Sequence, residues 1–268
     1  MKINMEKRKN KMISWIAYLV AIVLIAFAGV SAFKTYSLRS KVKDDLKVDK
    51  VIQKEVGPIM TKAKDKESDP LKNLNWDEVK ALSPNIVAWI TVPGTSVNYP
   101  IMKADDNSFY LTHDYAGNKN DLGSIFIDYR QLTDFSSKNT FIYGHNVLMD
   151  IADAKFTELN GYLKQDFYSE HKQVLIYTPE KVIQGKVLAA HSDTSDTYSN
   201  TRKFDSDEAF NDYLAFMVKH SAIKSDINSS AVKKIVTLWT CTSKPGVNSN
   251  GKDFKASESR TFVTVSID

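Results

Sequence analysis

The only cysteine of this 268-residue chain, Cys241, lies where a reactive side chain would be held rigidly and remain accessible. It follows a run of β-branched, aliphatic and aromatic residues from Ile235 to Trp239, which is typical of a buried strand. Residues 242–246 are Thr, Ser, Lys, Pro and Gly, and they predict a loop directly after the strand. A nucleophilic thiol is one interpretation. The alternative is that Cys241 is a small, buried, unreactive side chain.

A cysteine nucleophile needs two kinds of help, because a thiol with its usual pKa of about 8.5 is only slightly ionised at neutral pH. It needs a base and a hydrogen-bond donor for the oxyanion. His145 has a suitable setting because it follows a short apolar strand and a glycine, at the strand exit. Arg260 opens an alternating run to Ile267 that predicts the last strand. If the strands of Cys241 and Arg260 pair antiparallel, the two residues become neighbours.

These segments resemble those of the sortases, a family of cysteine transpeptidases. Residues 237–241 (T-L-W-T-C) are similar to the sortase cysteine signature, residues 143–145 (Y-G-H) to the histidine segment, and Arg260 to the strand-borne arginine. The order and spacing of residues 85–95, 99–101 and 123–128, with a helical segment at 204–220, resemble class B. The resemblance covers residues 74–268. Two features depart from it: a longer segment between Cys241 and Arg260, and Trp239 where a small residue is common.

The resemblance implies roles for these residues. Cys241 would form a thioacyl enzyme with a C-terminal sorting pentapeptide of surface proteins. His145 would move protons, and Arg260 would bind the oxyanion. An amine of the cell wall would resolve the intermediate, and no metal or organic cofactor would be needed. The implied substrate contacts are Asn107, Leu111, Thr194, Tyr198 and Thr240, the last to substrate or oxyanion.

Three other functions are compatible with the same residues. A pilus-assembling sortase would use a pilin lysine as acceptor, and a cysteine hydrolase would use water. A non-catalytic surface binding module would not use the thiol chemically. The sequence contains no nucleotide-binding glycine motif, no cluster with metal-ligand spacing and no basic motif for nucleic acid. The mild net charge of +4 also argues against a nucleic-acid partner.

The N-terminal part of the sequence predicts a membrane anchor. Residues 1–12 are basic and form the predicted cytoplasmic tail, and residues 13–33 are free of charge and long enough to span a membrane. This orientation places the catalytic domain outside the cell, which the resemblance implies is Gram-positive. A cleaved signal peptide ending near residues 26–28 is the alternative. Residues 34–73 predict a charged helical spacer whose helix ends at Gly57 and Pro58.

The remaining residues, 74–268, predict one catalytic domain that is mainly β. Eight short strands with turn signals between them predict a barrel or a sandwich. The resemblance selects an eight-stranded β-barrel with helical insertions, preceded by N-terminal helices and the transmembrane helix. A helix is predicted at 76–82, with Asn75 and Glu78 as a capping box, and Asp205 with Glu208 would cap the second insertion. The predicted strands lie at 86–92, 97–101, 123–127, 139–143, 173–178, 182–190, 234–240 and 260–267.

Overall fold

The computed structural model describes residues 2–61, 74–147, 154–242 and 244–267. The chain divides into two compact units, Met1–Asp44 and Asp45–Asp268. The predicted spacer at 34–73 is helical up to Thr61, and residues 62–73 lie outside the described residues. The first element, α1 (Lys2–Thr61), runs through Gly57 and Pro58, where the sequence predicts its end. Proline lacks an N–H, so the helix forgoes one backbone hydrogen bond there.

One helix in the described part of the chain could cross a membrane by length and composition. It spans Tyr18–Lys54 and contains an 18-residue window with a mean hydropathy of 1.9, none of which is buried. Signal sequences near an N-terminus share these properties. The predicted anchor at 13–33 and its orientation therefore stay predictions.

Eight strands form a closed barrel, which confirms the predicted fold class. Each strand is rich in β-branched and aromatic residues, and the barrel strands are buried on most positions because helices and loops cover the outer face. The strand order around the barrel is β1-β2-β3-β4-β7-β10-β6-β5. Their bounds are β1 (Ile86–Thr91), β2 (Asn98–Met102), β3 (Ile125–Ile127), β4 (Asn139–Tyr143), β5 (Gln173–Tyr177), β6 (Val182–Thr194), β7 (Lys234–Cys241) and β10 (Ser259–Ile267).

The segment between Cys241 and Arg260 contains a small hairpin rather than an irregular loop. Its strands are β8 (Gly246–Val247) and β9 (Asp253–Phe254), which pair antiparallel as a separate two-stranded sheet. Phe254 is buried beneath it. Asn248 donates a hydrogen bond to Thr194 on β6, which ties the hairpin to the barrel. The longer segment noted in the sequence is therefore an ordered addition to the barrel.

Two helices of the catalytic domain lie close to their predicted places, and a further helical insertion lies between β4 and β5. Helix α2 (Trp76–Leu82) begins after Asn75, whose side chain accepts from the amide of Asp77. The first insertion combines a 3₁₀ helix (Thr157–Leu163) with α3 (Gln165–Glu170), and the second is α4 (Asp207–Lys219). The predicted cap at Asp205 is wrong by one residue. Ser206 caps α4 instead, because its hydroxyl accepts from the amide of Ala209.

We expect a chain that starts at Asp45 to be more stable than one that starts at Leu74, although both should fold. Ile52 on α1 is 1% exposed and belongs to the hydrophobic cluster that contains Val79. Removing it exposes that cluster and costs about 2 kcal/mol of unfolding free energy. Urea unfolding of the two chains measures the difference. Equal midpoints and slopes would show that residues 45–61 do not stabilise the barrel.

Candidate active site

Three neighbouring strands, β4, β7 and β10, bring the predicted catalytic residues together. Arg260 is the direct antiparallel partner of Cys241, so the neighbourhood expected from the sequence is confirmed. On the other side, Tyr143 pairs with Trp239 in parallel, and the Gly144 amide donates to the Trp239 carbonyl at 3.1 Å. The chain then continues to His145, two residues beyond β4, at the same end of the barrel as Cys241. The strand of Arg260 and the segment that leads to His145 therefore lie on opposite sides of β7.

Cys241 and its cross-strand partner Arg260 lie on one face of the sheet, above an aromatic layer. Strand pleating places Cys241 on the same face as Trp239, and both the thiol and the indole are partly buried. The Trp239 ring meets Tyr143 edge-on at a centroid distance of 5.1 Å and Phe262 at 6.3 Å. These large rings limit the movement of the strand end that carries the thiol.

A backbone carbonyl orients the imidazole of His145. Nε2 lies 2.8 Å from the carbonyl oxygen of Leu111. A carbonyl only accepts, so Nε2 is the donor, and in the neutral ring Nδ1 is the nitrogen that can take a proton. The predicted groove residue Leu111 therefore contacts the site through its main chain, while its side chain is 36% exposed.

The Arg260 guanidinium is fixed by two carbonyls and one ring. Nη1 donates to the carbonyls of Ser257 and Ser259, both at 2.9 Å. The guanidinium carbon lies 5.2 Å from the centre of the Trp239 ring, in the range of a cation–π contact. Nε is buried and makes no hydrogen bond within the described structure. The guanidinium of the cross-strand partner of Cys241 thus has one N–H donor that the described protein atoms do not use.

Gly144 is packed closely against two side chains, so Gly144→Ala should disturb the backbone that leads to His145. A Cβ there would lie 2.4 Å from Cδ1 of Ile125 and 2.7 Å from Cδ2 of Phe156. Overpacking of this kind destabilises a fold by about 1–3 kcal/mol. Because His145 follows directly, we expect a lower kcat/KM for peptide cleavage as well.

Thermal unfolding and peptide cleavage measure the two effects of Gly144→Ala. Gly117→Ala is the matched control, since a Cβ there meets nothing within 4 Å and only the φ of +83° is strained. The control should lose stability alone. Equal activity in the two variants would contradict the spatial role of Gly144.

Asn107 is held in a buried ionic network around Asp128. Its amide donates to Asp128 at 3.1 Å, and Arg130 and Arg202 donate to the same carboxylate at 2.6 and 2.9 Å. Burial alone would raise the pKa of Asp128, but hydrogen bonds from Arg130, Tyr143 and Asn107 outweigh it and hold the pKa well below its usual range. Asp128 and Arg130, two residues apart, thus form an ion pair within this network. The network also ties Asn107 to Tyr143, whose hydroxyl donates to Asp128.

Thr194 and Tyr198 lie on the other side of the site. Thr194 pairs with Ser259, next to Arg260, and both Thr194 and Arg260 line a cavity of about 350 Å³ beneath the β8–β9 hairpin. The Thr194 hydroxyl donates to Asp196 at 2.5 Å. Tyr198 is 42% exposed and rests edge-on against two rings of α4. An exposed tyrosine on a fixed support is available to a ligand.

The structure places Thr240 away from the thiol. Strand alternation puts its side chain on the inner face with Leu238, and it is fully buried. Its hydroxyl has no hydrogen-bond partner in the described structure. The predicted contact of Thr240 with substrate or oxyanion requires either its main chain or a rearrangement of the strand end.

We therefore expect Thr240→Val to retain activity. The substitution replaces an unpartnered buried hydroxyl by a methyl group, so it should be neutral or slightly stabilising. Measuring kcat/KM for peptide cleavage together with the melting temperature checks this. A large loss of kcat at unchanged stability would restore the hydroxyl contact that the sequence predicts.

A buried polar cluster beside the end of β6 was not predicted from the sequence. Ser199 donates to Asp193 at 2.5 Å, and Nε2 of His191 lies 2.8 Å from the Ser199 hydroxyl. Asp193 is the cross-strand partner of Arg260 and accepts from the amide of Ser249 in the hairpin segment. The polar run at 192–194 was the available signal. Across the described ranges, no group of three or more His, Cys, Asp or Glu residues could hold a metal ion.

Comparison with known proteins assigns the family. The chain is 34% identical over 164 residues to sortase B of Listeria monocytogenes and 34% identical over 167 residues to sortase B of Staphylococcus aureus. The alignments cover 61% and 62% of this chain and 65% and 67% of the two relatives. The chain belongs to the class B sortases. Among solved structures, an S. aureus sortase B–substrate complex matches with a TM-score of 0.69 at 26% identity, over 84% of this chain and 97% of that chain. No family model matches.

The class B assignment agrees with the arrangement of the three residues. Cys241 and Arg260 lie on β7 and β10, and His145 follows the end of β4 by two residues, in a barrel shared with the sortase B structures. The aligned parts leave about a third of each relative's length outside the match.

Proposed function

We propose that this protein is a cysteine transpeptidase. It cleaves a C-terminal sorting pentapeptide of surface proteins through a thioacyl enzyme and transfers them to an amine of the cell wall. The observation that carries the proposal is the register of β4, β7 and β10, which flanks Cys241 with His145 and Arg260. A thiol between a proton carrier and an oxyanion donor has the three groups that acyl transfer needs.

In the first half-reaction, the Cys241 thiolate attacks the carbonyl carbon of the scissile amide and forms a C–S bond. Arg260 donates hydrogen bonds to the oxyanion that develops on that carbonyl. His145 gives its proton to the leaving nitrogen as the C–N bond breaks. The products are the thioester of Cys241 and the released C-terminal peptide.

In the second half-reaction, an amine attacks the thioester carbon and forms a new C–N bond. His145 takes a proton from the amine, and the C–S bond breaks to regenerate the thiolate. Water in place of the amine would give hydrolysis. The identity of the acceptor thus distinguishes a transpeptidase from a hydrolase.

Two solved relatives support the substrate and acceptor classes. S. aureus sortase B has been solved with its substrate, and a sortase B has been solved in complex with triglycine, a peptide with a free amine. In this chain, the exposed side chains of Leu111 and Tyr198 and the cavity beside Thr194 are the proposed peptide contacts. The acceptor proposed here is a peptidoglycan amine.

A peptide-library cleavage assay read by mass spectrometry tests the proposal. Incubation with and without added amines should give amide-linked products only with the amine. Hydrolysed peptide as the product both with and without the amine would indicate a hydrolase. Preference for a pilin lysine over cell-wall amines would indicate pilus assembly. A binding module would cleave no peptide and would leave Cys241 slow to react with alkylating agents.

We further propose a single-pass anchor at residues 13–33, with residues 1–12 in the cytoplasm and the catalytic domain outside. The apolar character of this part of α1 supports it. Because Cys241 is the only cysteine, a membrane-impermeant maleimide reports on the location of the domain. Intact cells should be labelled as completely as lysed cells. Labelling that requires lysis would overturn the orientation.

A further inference from the structure

The part of α1 between Asp45 and Gln53 contacts residues of the barrel domain. Residues 45–54, here called the docking segment, belong to the same compact unit as the barrel. Asp49 and Ile52 in this segment are 7% and 1% exposed. Nε2 of Gln53 donates to the carbonyl of Asn98 at 2.9 Å. The docking segment is thus part of the folded domain and not merely a spacer.

Asp49 forms a buried ion pair with a residue of a distant loop. Its Oδ1 lies 2.5 Å from Nζ of Lys155, which is 2% exposed. The ammonium group also lies 5.2 Å from the centre of the Tyr99 ring, and the Tyr99 hydroxyl accepts from the Lys155 amide. A buried ammonium group without its carboxylate would be strongly unfavourable. The position of Lys155 therefore depends on Asp49.

The backbone at Lys155 is directly linked to the histidine segment. Asn146 and Lys155 form an isolated β-bridge, and the Phe156 amide donates to the His145 carbonyl at 3.0 Å. Lys155 has a φ of +54°, which is unfavourable for a residue with a long side chain. Such a conformation persists only when surrounding contacts enforce it. The ion pair and the Tyr99 contacts provide that enforcement.

We propose that Asp49 and Lys155 are positioning residues for His145, so that the docking segment of α1 holds the imidazole in place beside Cys241. The chain of contacts runs from Asp49 to Lys155, and from the backbone of residues 155–156 to residues 145–146. The inference rests on the proton-transfer role proposed for His145. Helix α1, which contains the proposed anchor, would then contribute to catalysis.

The test compares variants of the full chain in detergent micelles. Asp49→Asn removes the charge while preserving the shape, and Lys155→Met removes it from the other partner. Asp49→Lys combined with Lys155→Asp reverses the pair, and aspartate also tolerates a positive φ better than lysine. Gln53→Ala is the matched control, because it removes a contact of the same segment that leads to Asn98 and not to the histidine.

Two readouts separate positioning from general stability. Steady-state peptide cleavage gives kcat and KM, and the pH dependence of Cys241 alkylation by iodoacetamide reports on the charge and proximity of His145. His145→Ala provides the reference profile. We expect a fall in kcat of about tenfold or more for Asp49→Asn and Lys155→Met, since misplacing a catalytic group by about 1 Å can cost 10²-fold. KM should remain unchanged, and the pH dependence of Cys241 alkylation should move toward that of His145→Ala.

The reversed pair should recover most of kcat and the normal alkylation profile, and Gln53→Ala should keep both. Unchanged kcat and profile in folded single variants would overturn the proposal, as would failure of the folded reversed pair to recover either. Circular dichroism establishes folding. If neither single variant folds, the pair supports the whole domain and the proposal is also overturned. Absence of Cys241-dependent cleavage in the unsubstituted chain would instead reject the proposed function, while alkylation would still report on His145.

Discussion

Cys241→Ala should reduce peptide cleavage to the background rate while the domain remains folded. The substitution removes one sulfur from a half-buried position at the end of β7, so the unfolding free energy should fall by only about 1 kcal/mol. Cleavage should be lost because no other thiol exists to form the thioester. Mass spectrometry of the enzyme after incubation with peptide should show an acyl adduct on the unsubstituted chain alone.

Thr240→Val is the matched control for Cys241→Ala, because it changes the adjacent residue on the opposite face of the same strand. It should form the acyl adduct at a normal rate. Cleavage by Cys241→Ala with a normal melting temperature would reject Cys241 as the nucleophile. It would leave the thiol as the unreactive side chain that the sequence also allowed.

Arg260→Lys should impair catalysis nearly as much as Arg260→Ala. Lysine keeps the positive charge but cannot reproduce the planar fork. In the structure, one nitrogen of that fork, Nη1, is occupied by the carbonyls of Ser257 and Ser259, while Nε remains unsatisfied. Losing an oriented oxyanion donor lowers the rate by about 10²–10³-fold. The expected result for both variants is a loss of kcat/KM in this range.

Measuring kcat/KM across pH for both Arg260 variants separates geometry from charge. If Arg260 acted only through its positive field, lysine would restore most of the activity and the alanine variant alone would be impaired. Near-normal activity of Arg260→Lys would therefore reject the geometric role. Trp239→Leu is a useful companion, because it removes the ring beneath the guanidinium while keeping the arginine. An intermediate loss is expected for it.

The strands and the core of the site were predictable because they depend on local patterns, whereas the choice of a barrel over a sandwich came from the resemblance to sortases. Alternation and β-branched residues located all eight barrel strands, and antiparallel pairing of the last two brought Cys241 and Arg260 together. Strand β6 continues to Thr194 because Ser192 and Asp193 still pair with β10. The predicted strand ended at 190 because these two residues interrupt the apolar pattern. Polar residues can be assigned to a strand only when their cross-strand partners are known.

The supports of the site were not predictable because they join residues that are far apart in the sequence. Asp49 and Lys155 are 106 positions apart, and each looks like a solvated charge in its own segment. The Asp128 network likewise joins Asn107 and Arg202 through three-dimensional contacts. The cap of α4 was misplaced by one residue because Asp205 and Ser206 are both good capping types and only the hydrogen bond to Ala209 distinguishes them.

Closure of the barrel limits how an extended peptide can bind to this protein. Strand β1 pairs with both β2 and β5, so the sheet closes on itself and none of the eight strands offers an unpaired edge along its whole length. A bound peptide therefore cannot add a full-length ninth strand to the sheet, the mode in which main-chain bonds to a sheet edge provide most of the affinity. Recognition must instead come from side chains and loops that project from the sheet. Such loops can change their preferred peptide without altering a single ladder bond, so peptide preference and barrel stability can vary independently.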